Sequence, residues 1–193
     1  MDDHIQDAQR IRSYLSGDPK AFEALYRKYE RPLFSFILKL VRNRESAEDI
    51  FQQTWIKVIR ALPGYREKGR FSSWIFGIGY HCFIDAVRKN KIRNWEDASS
   101  ERGSDRIGDD SMNPETLFIM RERQRWLEES IQELPEDQKQ ILLLRIVADM
   151  PFKEIARLLE CPLNTVLGRM HYAMKNLQKM KNRKWKEVSG DGL

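Results

Sequence analysis

The sequence predicts an all-α fold in which a flexible acidic linker joins two small helical domains. Apolar residues recur at helical spacing up to residue 93 and again from residue 114. Cap-and-breaker pairs such as Asp18-Pro19 and Asn113-Pro114 punctuate these runs. Between them, residues 94–113 carry mainly acidic and small polar side chains, and such a segment buries too little apolar surface to fold. We therefore expect domains at residues 1–93 and 114–193, with the linker at 94–113.

Three helical segments open the chain. Residues 5–15 have one apolar side, and Gly17 ends this helix. Asp18 then caps a new helix, with a proline at the first helical position. We expect Pro32 to break that helix, because proline has no N–H to donate and its ring clashes with the preceding turn. Leu33 to Val41 should form a third segment, buried on more than one side.

The next helix has an apolar side and an opposing polar ridge. The apolar side must be buried, and its residues repeat at intervals of three and four: Ala47, Ile50, Phe51, Thr54, Trp55, Val58, Ile59 and Leu62. Pro63-Gly64 ends the helix. The opposing ridge is suited to docking a partner and consists of Asp49, Gln52, Gln53 and Ile56.

Cations and aromatic residues surround the helix that begins near Ser72. Its expected buried side is Trp74, Ile75, Ile78, Cys82, Phe83, Ala86 and Val87. A second line, suited to a long polar ligand, is Ser73, Gly77, His81 and Arg88. The preceding loop and the helix end carry Tyr65, Arg66, Lys68, Arg70, Phe71, Lys89, Lys91 and Arg93. Cations interleaved with aromatic rings favour phosphate binding, although cations also suit the solvated C-terminus of a helix.

The C-terminal domain contains a predicted helix-turn-helix. A first helix runs from the Asn113-Pro114 cap towards Pro135, and a strongly apolar helix follows at residues 137–147. FKEIARLLE and LNTVLGRMHYAMKNLQKM then predict two helices separated by Cys161-Pro162. The second helix of such a pair enters a DNA major groove. A helical hairpin without DNA is the alternative, because the helical pattern alone is common.

The composition argues against several classes of protein. The 34 Lys and Arg against 29 Asp and Glu give a net charge of +5, which is compatible with a polyanionic partner. Cys82 and Cys161 lie among apolar residues without paired spacing, so we expect two buried thiols in a reducing compartment. No run approaches the about 20 apolar residues that span a bilayer, and no signal peptide is visible. We expect a cytoplasmic protein.

Catalytic and metal-binding constellations are also lacking in the sequence. His81 and Asp85 share a helix face, but no second pair of ligands accompanies them. Gly77-Ile78-Gly79 lacks the third glycine and the preceding strand of a dinucleotide-binding fingerprint. No nucleophile stands beside a base. We therefore expect no enzyme activity, no cofactor, no metal and no small-molecule substrate.

Two parts of the chain resemble one known family. AEDIFQQTWIKV and FSSWIFGIGYHCFIDAVRK resemble the promoter-opening domain of the extracytoplasmic-function (group 4) sigma factors, members of the sigma-70 family that serve bacterial RNA polymerase. LPEDQKQILLLRIV and FKEIARLLECPLNTVLGRMHYAMKNL resemble the same family's minus-thirty-five-binding domain. The resemblance implies an alternative sigma factor that directs core polymerase to specific promoters and assists their melting and transcription initiation. It implies three partners: core RNA polymerase through its beta-prime coiled coil and beta flap, promoter DNA, and an anti-sigma factor.

The resemblance also gives roles to particular residues. The ridge of Asp49, Gln52, Gln53 and Ile56 is implied to bind the polymerase, with Gln53 where an acidic residue is usual. Asp85 also fits the family's pattern of residues in the second helix that hold minus-ten DNA. The residues implied to hold minus-ten DNA with a flipped base, His81 replacing a usual Asn, are Tyr65, Arg66, Lys68, Arg70, Phe71, Ser73, Trp74, His81, Arg88 and Lys89. The residues implied to contact the minus-thirty-five element are Asn164, Thr165, Leu167, Gly168, Arg169, Tyr172 and Lys175.

The recognition helix departs from the family at Asn164, Leu167, Gly168 and Tyr172, where Gly, Lys or Arg, Ser, and Arg are frequent. Loss of two cations predicts an unusual minus-thirty-five sequence, with Leu167 against a thymine methyl group, or less reliance on that element. Two other functions stay open. A helix-turn-helix transcription regulator acts without recruiting polymerase, and a sigma-like decoy sequesters an anti-sigma factor without starting transcription.

Overall fold

The computed structural model describes residues 2–66, 70–89 and 113–189, and over these residues the all-α prediction is confirmed. They form eight α-helices, one short 3₁₀ turn and no strand. Residues 94–112 of the predicted linker, Lys68, Lys91 and Arg93 lie outside the described residues. The helices are α1 Asp2–Leu15, α2 Pro19–Val41, α3 Arg44–Ala61, α4 Phe71–Arg88, α5 Pro114–Gln132, α6 Glu136–Ile146, α7 Phe152–Leu158 and α8 Leu163–Ser189. No helix among them is long and apolar enough to cross a membrane.

The described residues fall into two compact units. The first contains α1 to α4 together with Leu143–Leu159, and the second contains α5, the earlier part of α6, and α8. The grouping of Leu143–Leu159 with α1 to α4 was not predicted. The predicted domain limits at residues 93 and 114 stay predictions, because the linker lies outside the described residues.

Helix α2 runs unbroken from Pro19 to Val41, so the predicted break at Pro32 is wrong. A proline inside a helix costs about 3 kcal/mol. Burial of one large apolar side chain contributes about 1.5–3 kcal/mol, and several such side chains flank the proline. Packing therefore outweighs the lost backbone hydrogen bond. The buried neighbours are Tyr29, Leu33, Phe36, Ile37, Leu40 and Val41.

Helix α3 buries most of its predicted apolar side. Ala47, Ile50, Thr54, Trp55 and Val58 are buried, as is Leu62 in the 3₁₀ turn that follows. Phe51 is only partly buried, and Ile59 is exposed, with 42% of its surface accessible. The predicted turn at Pro63-Gly64 lies in this 3₁₀ segment, which spans Leu62–Gly64.

Helix α4 is buried over a wider arc than one stripe. It begins at Phe71, one residue before the predicted start, and contacts α1, α2 and α3. Phe76 and Tyr80, absent from the predicted buried side, are therefore buried, whereas the predicted Val87 is exposed. Gly79 allows close approach, since a Cβ atom there would lie 3.2 Å from Cδ1 of Leu33.

A buried carboxylate ties α1 to α2. Asp7 is 1% exposed and accepts hydrogen bonds from Lys28 Nζ at 2.7 and 2.8 Å. The hydroxyl of Tyr29 donates to Asp7 at 2.5 Å. A buried charge is tolerated only where it is paired and hydrogen-bonded, and Asp7 meets both conditions. The Tyr29 ring also lies 5.4 Å from that of Phe71, at the start of α4.

In the second unit, α8 packs one apolar side on its neighbours. Its inner residues recur at intervals of three and four, which places them on one side of the helix. They join Leu134 and Leu142 in a small core. The residues of α8 in this cluster are Met170, Ala173, Leu177 and Met180. On α5, the apolar residues Met120 and Leu127 are exposed.

The helix-turn-helix pattern gives its two helices at the predicted positions, α7 at Phe152–Leu158 and α8 from Leu163. Of the two cysteines, Cys82 is buried as predicted. Cys161 is only partly buried, because it lies in the break between helices and not on a packed side, so that prediction is wrong.

We expect Asp7→Ala to lower the free energy of unfolding by about 2 kcal/mol, because it leaves Lys28 and Tyr29 without their buried acceptor. Urea unfolding followed by circular dichroism measures this change. Glu23→Ala is the control, since Glu23 forms an exposed ion pair with Arg27 at 2.6 Å and its loss should cost about 0.5 kcal/mol or less. Equal effects of the two substitutions would contradict the assigned importance of Asp7.

Candidate nucleic-acid interface

The polar ridge of α3 faces solvent. Asp49, Gln52, Gln53 and Ile56 are all exposed, while the opposite side of the helix packs against α2 and α4. Ile59 extends this ridge, because residues 52, 56 and 59 follow one another along one helix face. Ile59 was predicted to lie on the buried side. Its position one turn after Ile56 was the signal that could have placed it on the ridge.

Three aromatic rings form a cluster at the start of α4. The ring centroids of Tyr65 and Trp74 are 4.7 Å apart, and each lies 5.5 Å from that of Phe71. Tyr65 and Trp74 are partly exposed, whereas Phe71 is 1% exposed. The prediction that Phe71 contacts a base conflicts with this burial. Its ring lies beneath the other two and supports them from the core.

The cations before α4 lie beside residues 148–158 of the same unit. Arg66 and Arg70 are exposed, and Arg70 forms an ion pair with Glu154. The hydroxyl of Ser72 donates to the carbonyl oxygen of Ala148 at 3.0 Å. Glu154 engages one terminal nitrogen of Arg70, so a phosphate has to bind the remaining donors or displace the carboxylate. A cavity of about 650 Å³ lies here, lined by Tyr65, Arg66, Arg70, Ser73, Trp74, Gly77, Met150, Glu154, Arg157 and Leu158.

The second predicted line of α4 continues towards its C-terminus. Ser73 and Gly77 are partly buried, and His81, Arg88 and Lys89 are exposed. The helix therefore presents two cations at its last turn and polar or small side chains before them. In the parts of the chain that the structure describes, no three metal-ligating side chains come together, at His81 or elsewhere.

Asp85 forms an ion pair with Lys57 of α3, with 3.0 Å between Oδ2 and Nζ. The hydrogen bond from Lys57 lowers the pKa of Asp85 below its ordinary value, and the same bond raises the pKa of Lys57. Both side chains are about half exposed, so solvent screens the pair. Asp85, which the resemblance grouped with DNA-holding residues, therefore connects two helices in this structure.

The outer side of α8 combines apolar and polar groups. Leu167 and Tyr172 are exposed, together with Asn164 and Lys175, and Thr165 is partly buried. A Cβ atom added at Gly168 would meet nothing within 4 Å, so the protein's own packing does not require a glycine there.

Arg169 is held at the edge of this surface. Its Nε atom lies 3.0 Å from Oδ2 of Asp137 on α6. Arg169 was predicted to contact the minus-thirty-five element, but its partner Asp137 was not predicted, because the two residues are far apart in the chain. Only their packing within the second unit brings them together.

Sequence comparisons match both parts of the chain. The family model of Sigma-70 region 2 matches residues 25–93, and that of Sigma-70, region 4 matches residues 124–177. The RNA polymerase sigma-H factor of Pseudomonas aeruginosa is 28% identical over 179 residues, covering 90% of this chain and 93% of the relative. The ECF RNA polymerase sigma factor SigW of Bacillus subtilis is 25% identical, covering 89% and 94%.

Solved structures show the same fold. CnrH in complex with the cytosolic domain of CnrY has a TM-score of 0.58 at 19% identity, over 94% of this chain and 97% of that chain. The sigma factor RpoE of Bartonella quintana, in complex with the anti-sigma factor NepR, has a TM-score of 0.61 at 18% identity, over 84% and 98%.

The two family matches together cover more than half of the chain and occur in the order expected of one protein family. The chain belongs to the sigma-70 family, as an alternative sigma factor of the extracytoplasmic-function group. Its region 2 contains the α3 ridge and the aromatic cluster, and its region 4 contains the outer side of α8 up to residue 177.

We expect the Lys57–Asp85 pair to stabilise the first unit by about 0.5 kcal/mol at neutral pH. Asp85 has a lowered pKa, so its contribution is present above the unfolded value of about 3.9 and is lost as the pH falls through the folded value. Lys57 has a raised pKa, so its contribution is lost only above about pH 10.4. Asp85→Asn should therefore destabilise at pH 7 and have little effect once the pH lies below the lowered pKa of Asp85 in the folded protein.

Thermal unfolding in low salt at several pH values measures this difference. Lys57→Gln and the double variant complete a mutant cycle that isolates the pair from other effects of each substitution. A destabilisation by Asp85→Asn that persists at the lowest pH would show that the pair is not its cause.

Proposed function

We propose that three surfaces of this sigma factor divide the work of initiation. The α3 ridge holds the beta-prime coiled coil of core RNA polymerase. The surface that includes the aromatic cluster, Arg88 and Lys89 captures unpaired minus-ten DNA. The outer side of α8 binds the minus-thirty-five element. One observation carries this proposal: regions 2 and 4 occur in one chain, and each contains an exposed surface of suitable chemistry.

The ridge suits a protein partner because it combines charge with exposed apolar side chains. Ile56 and Ile59 are 49% and 42% exposed, so burial of the remaining surface of each against a partner contributes up to about 1.5 kcal/mol. Asp49 adds a negative charge for complementary cations. Gln53 supplies a neutral contact where the family usually has a charged one. Apolar burial therefore supplies a larger share of the affinity than charge does.

The aromatic cluster suits unpaired bases. Flipping a base out of the stack costs a few kcal/mol, and stacking on an aromatic ring returns about 1–3 kcal/mol per base. Trp74 and Tyr65 offer partly exposed rings, which Phe71 supports from beneath. Arg88 and Lys89 lie exposed at the end of α4, where they meet the phosphates of an extended strand.

The α8 surface suits a duplex read with few cations. Exposed Leu167 and Tyr172 favour apolar contact with thymine methyl groups, while Arg169 retains the donors of a guanidinium. Gly168 leaves open space where a base edge or a phosphate can approach the backbone. We infer an unusual minus-thirty-five sequence that contains few Arg-read guanines.

In this proposal the chain itself catalyses no reaction and needs no cofactor, since core polymerase makes the RNA. It works in the cytoplasm, where polymerase and promoters meet. An anti-sigma factor that covers the polymerase-binding or DNA-binding surface keeps it inactive until release. Support for that partner comes from RpoE of Bartonella quintana, which shares the fold and was solved with an anti-sigma factor.

We expect purified core enzyme plus this protein to start specific transcripts from genomic DNA, which run-off transcription detects. Ile56→Ala should weaken core binding about tenfold, because apolar contact with the polymerase is lost. Trp74→Ala should leave core binding unchanged and lower run-off yield about tenfold, because a stacking platform is lost. A premelted template should restore part of that yield.

Ile5→Ala is the control, since Ile5 is an exposed apolar residue on α1 outside all three surfaces. Binding of duplex DNA without any effect of core enzyme would instead indicate a helix-turn-helix regulator. Titration of an anti-sigma factor with no transcript from any template would indicate a decoy. Either result contradicts the proposal.

A further inference from the structure

Three polar residues of α8 recur every seven residues along one edge of its packed side. Each contacts a residue of α6 or of the turn between α5 and α6. Arg169 pairs with Asp137 at 3.0 Å, and Asn176 Nδ2 donates to Gln138 Oε1 at 2.9 Å. The third pair joins Arg183 to Glu133 at 3.5 Å. These contacts flank the core of Met170, Ala173, Leu177 and Met180, so they lie at the edge of the side of α8 that faces its neighbours.

Arg169 is both held and accessible. Its side chain is 37% exposed, and that of Asp137 is 46% exposed. Thr165 and Tyr172 lie one turn before and after Arg169 on the helix surface. Arg169 therefore stands at the border between the packed side and the outer side of α8, with its guanidinium restrained by a carboxylate of another helix.

We propose that Asp137 is a positioning residue, which orients Arg169 to read a guanine in the minus-thirty-five element. This inference rests on the proposed role of α8. A guanidinium has five N–H donors, and engagement of Nε–H leaves four on the two terminal nitrogens. Those four suffice for a bidentate pair with O6 and N7 of guanine. Because the carboxylate limits the rotamers of Arg169, less side-chain freedom is lost when DNA binds.

The charge of Asp137 also has an effect that opposes DNA binding, and this effect is distinguishable from positioning of Arg169. A carboxylate near DNA repels phosphates, and pairing with Arg169 neutralises a cation that otherwise binds the backbone. If this effect dominates, removing the charge raises affinity for all sequences equally. If positioning dominates, removing it reduces the preference for one base at one position. Affinity and base preference therefore need separate measurement.

The test uses polymerase holoenzyme reconstituted with the full-length protein and a duplex library randomised over the minus-thirty-five hexamer. Enriched sequences give the base preference at each position. We expect wild-type protein to select guanine at one position and Asp137→Asn to reduce that selection about three- to tenfold. Asp137→Glu should restore much of the preference, because a carboxylate is retained. Arg169→Lys should lose it, because a lysine lacks the planar fork.

Glu133→Gln is the matched control. It removes the same charge from a partner of α8, but it releases Arg183 instead of Arg169. It should change overall affinity and its salt dependence without altering base preference. Thermal unfolding of both variants checks that each keeps its fold, since both lose a partly exposed ion pair.

Two results overturn the inference. One is a guanine preference in Asp137→Asn that equals the preference of the wild type or of Glu133→Gln. The other is a guanine preference that stays unaltered in Arg169→Lys. If the wild-type holoenzyme selects no sequence from the library, the proposed minus-thirty-five role of α8 itself fails. If the wild type and Asp137→Asn select guanine equally, only the positioning role of Asp137 is contradicted.

Discussion

The buried ring of Phe71 joins the core of the first unit to the surface that we propose for minus-ten DNA. Phe71 contacts Tyr29 on its inner side, and Tyr29 donates a hydrogen bond to the buried Asp7. On its outer side lie Tyr65 and Trp74. A ring packed at the density of a protein interior moves little, so Phe71 restricts the movement of the two partly exposed rings that pack on it. Helix α1 therefore helps to position the candidate site through Asp7, although none of its residues lies in that site.

Three cations on or beside the candidate surfaces are paired with carboxylates. Lys57, Arg70 and Arg169 each have a carboxylate partner, Asp85, Glu154 and Asp137 respectively. Exposed pairs are worth little in free energy, so they add little to the stability of the fold. The pairs still restrict the rotamers of long side chains before a ligand arrives. A net charge of +5 thus describes the chain poorly, because the arrangement of its cations matters more than their sum.

Helix periodicity predicted where each helix begins and ends better than it predicted which of its side chains are buried. The Asp18 cap, the turn after α3 and the start of α4 were predicted within about a residue, because caps and breakers act through adjacent backbone groups. The break at Pro32 was wrong, since local propensity was outweighed by burial on the flanking turns. Ile59 was placed inside and Phe71 among the DNA contacts, yet the first is exposed and the second buried. Both lie where an apolar stripe meets another surface, and sequence spacing alone does not assign such borders.

The sequence by itself determined the all-α class, the succession of helices and the family, because these follow from local spacing and from motifs that occupy consecutive positions. The tertiary structure alone decided which border residues are buried and which polar groups meet. Asp7 with Tyr29 and Asp137 with Arg169 are separated by 22 and 32 residues in the chain, so no periodic pattern announces them. Such pairs depend on how neighbouring helices pack, and packing depends on the shapes of all the side chains at once.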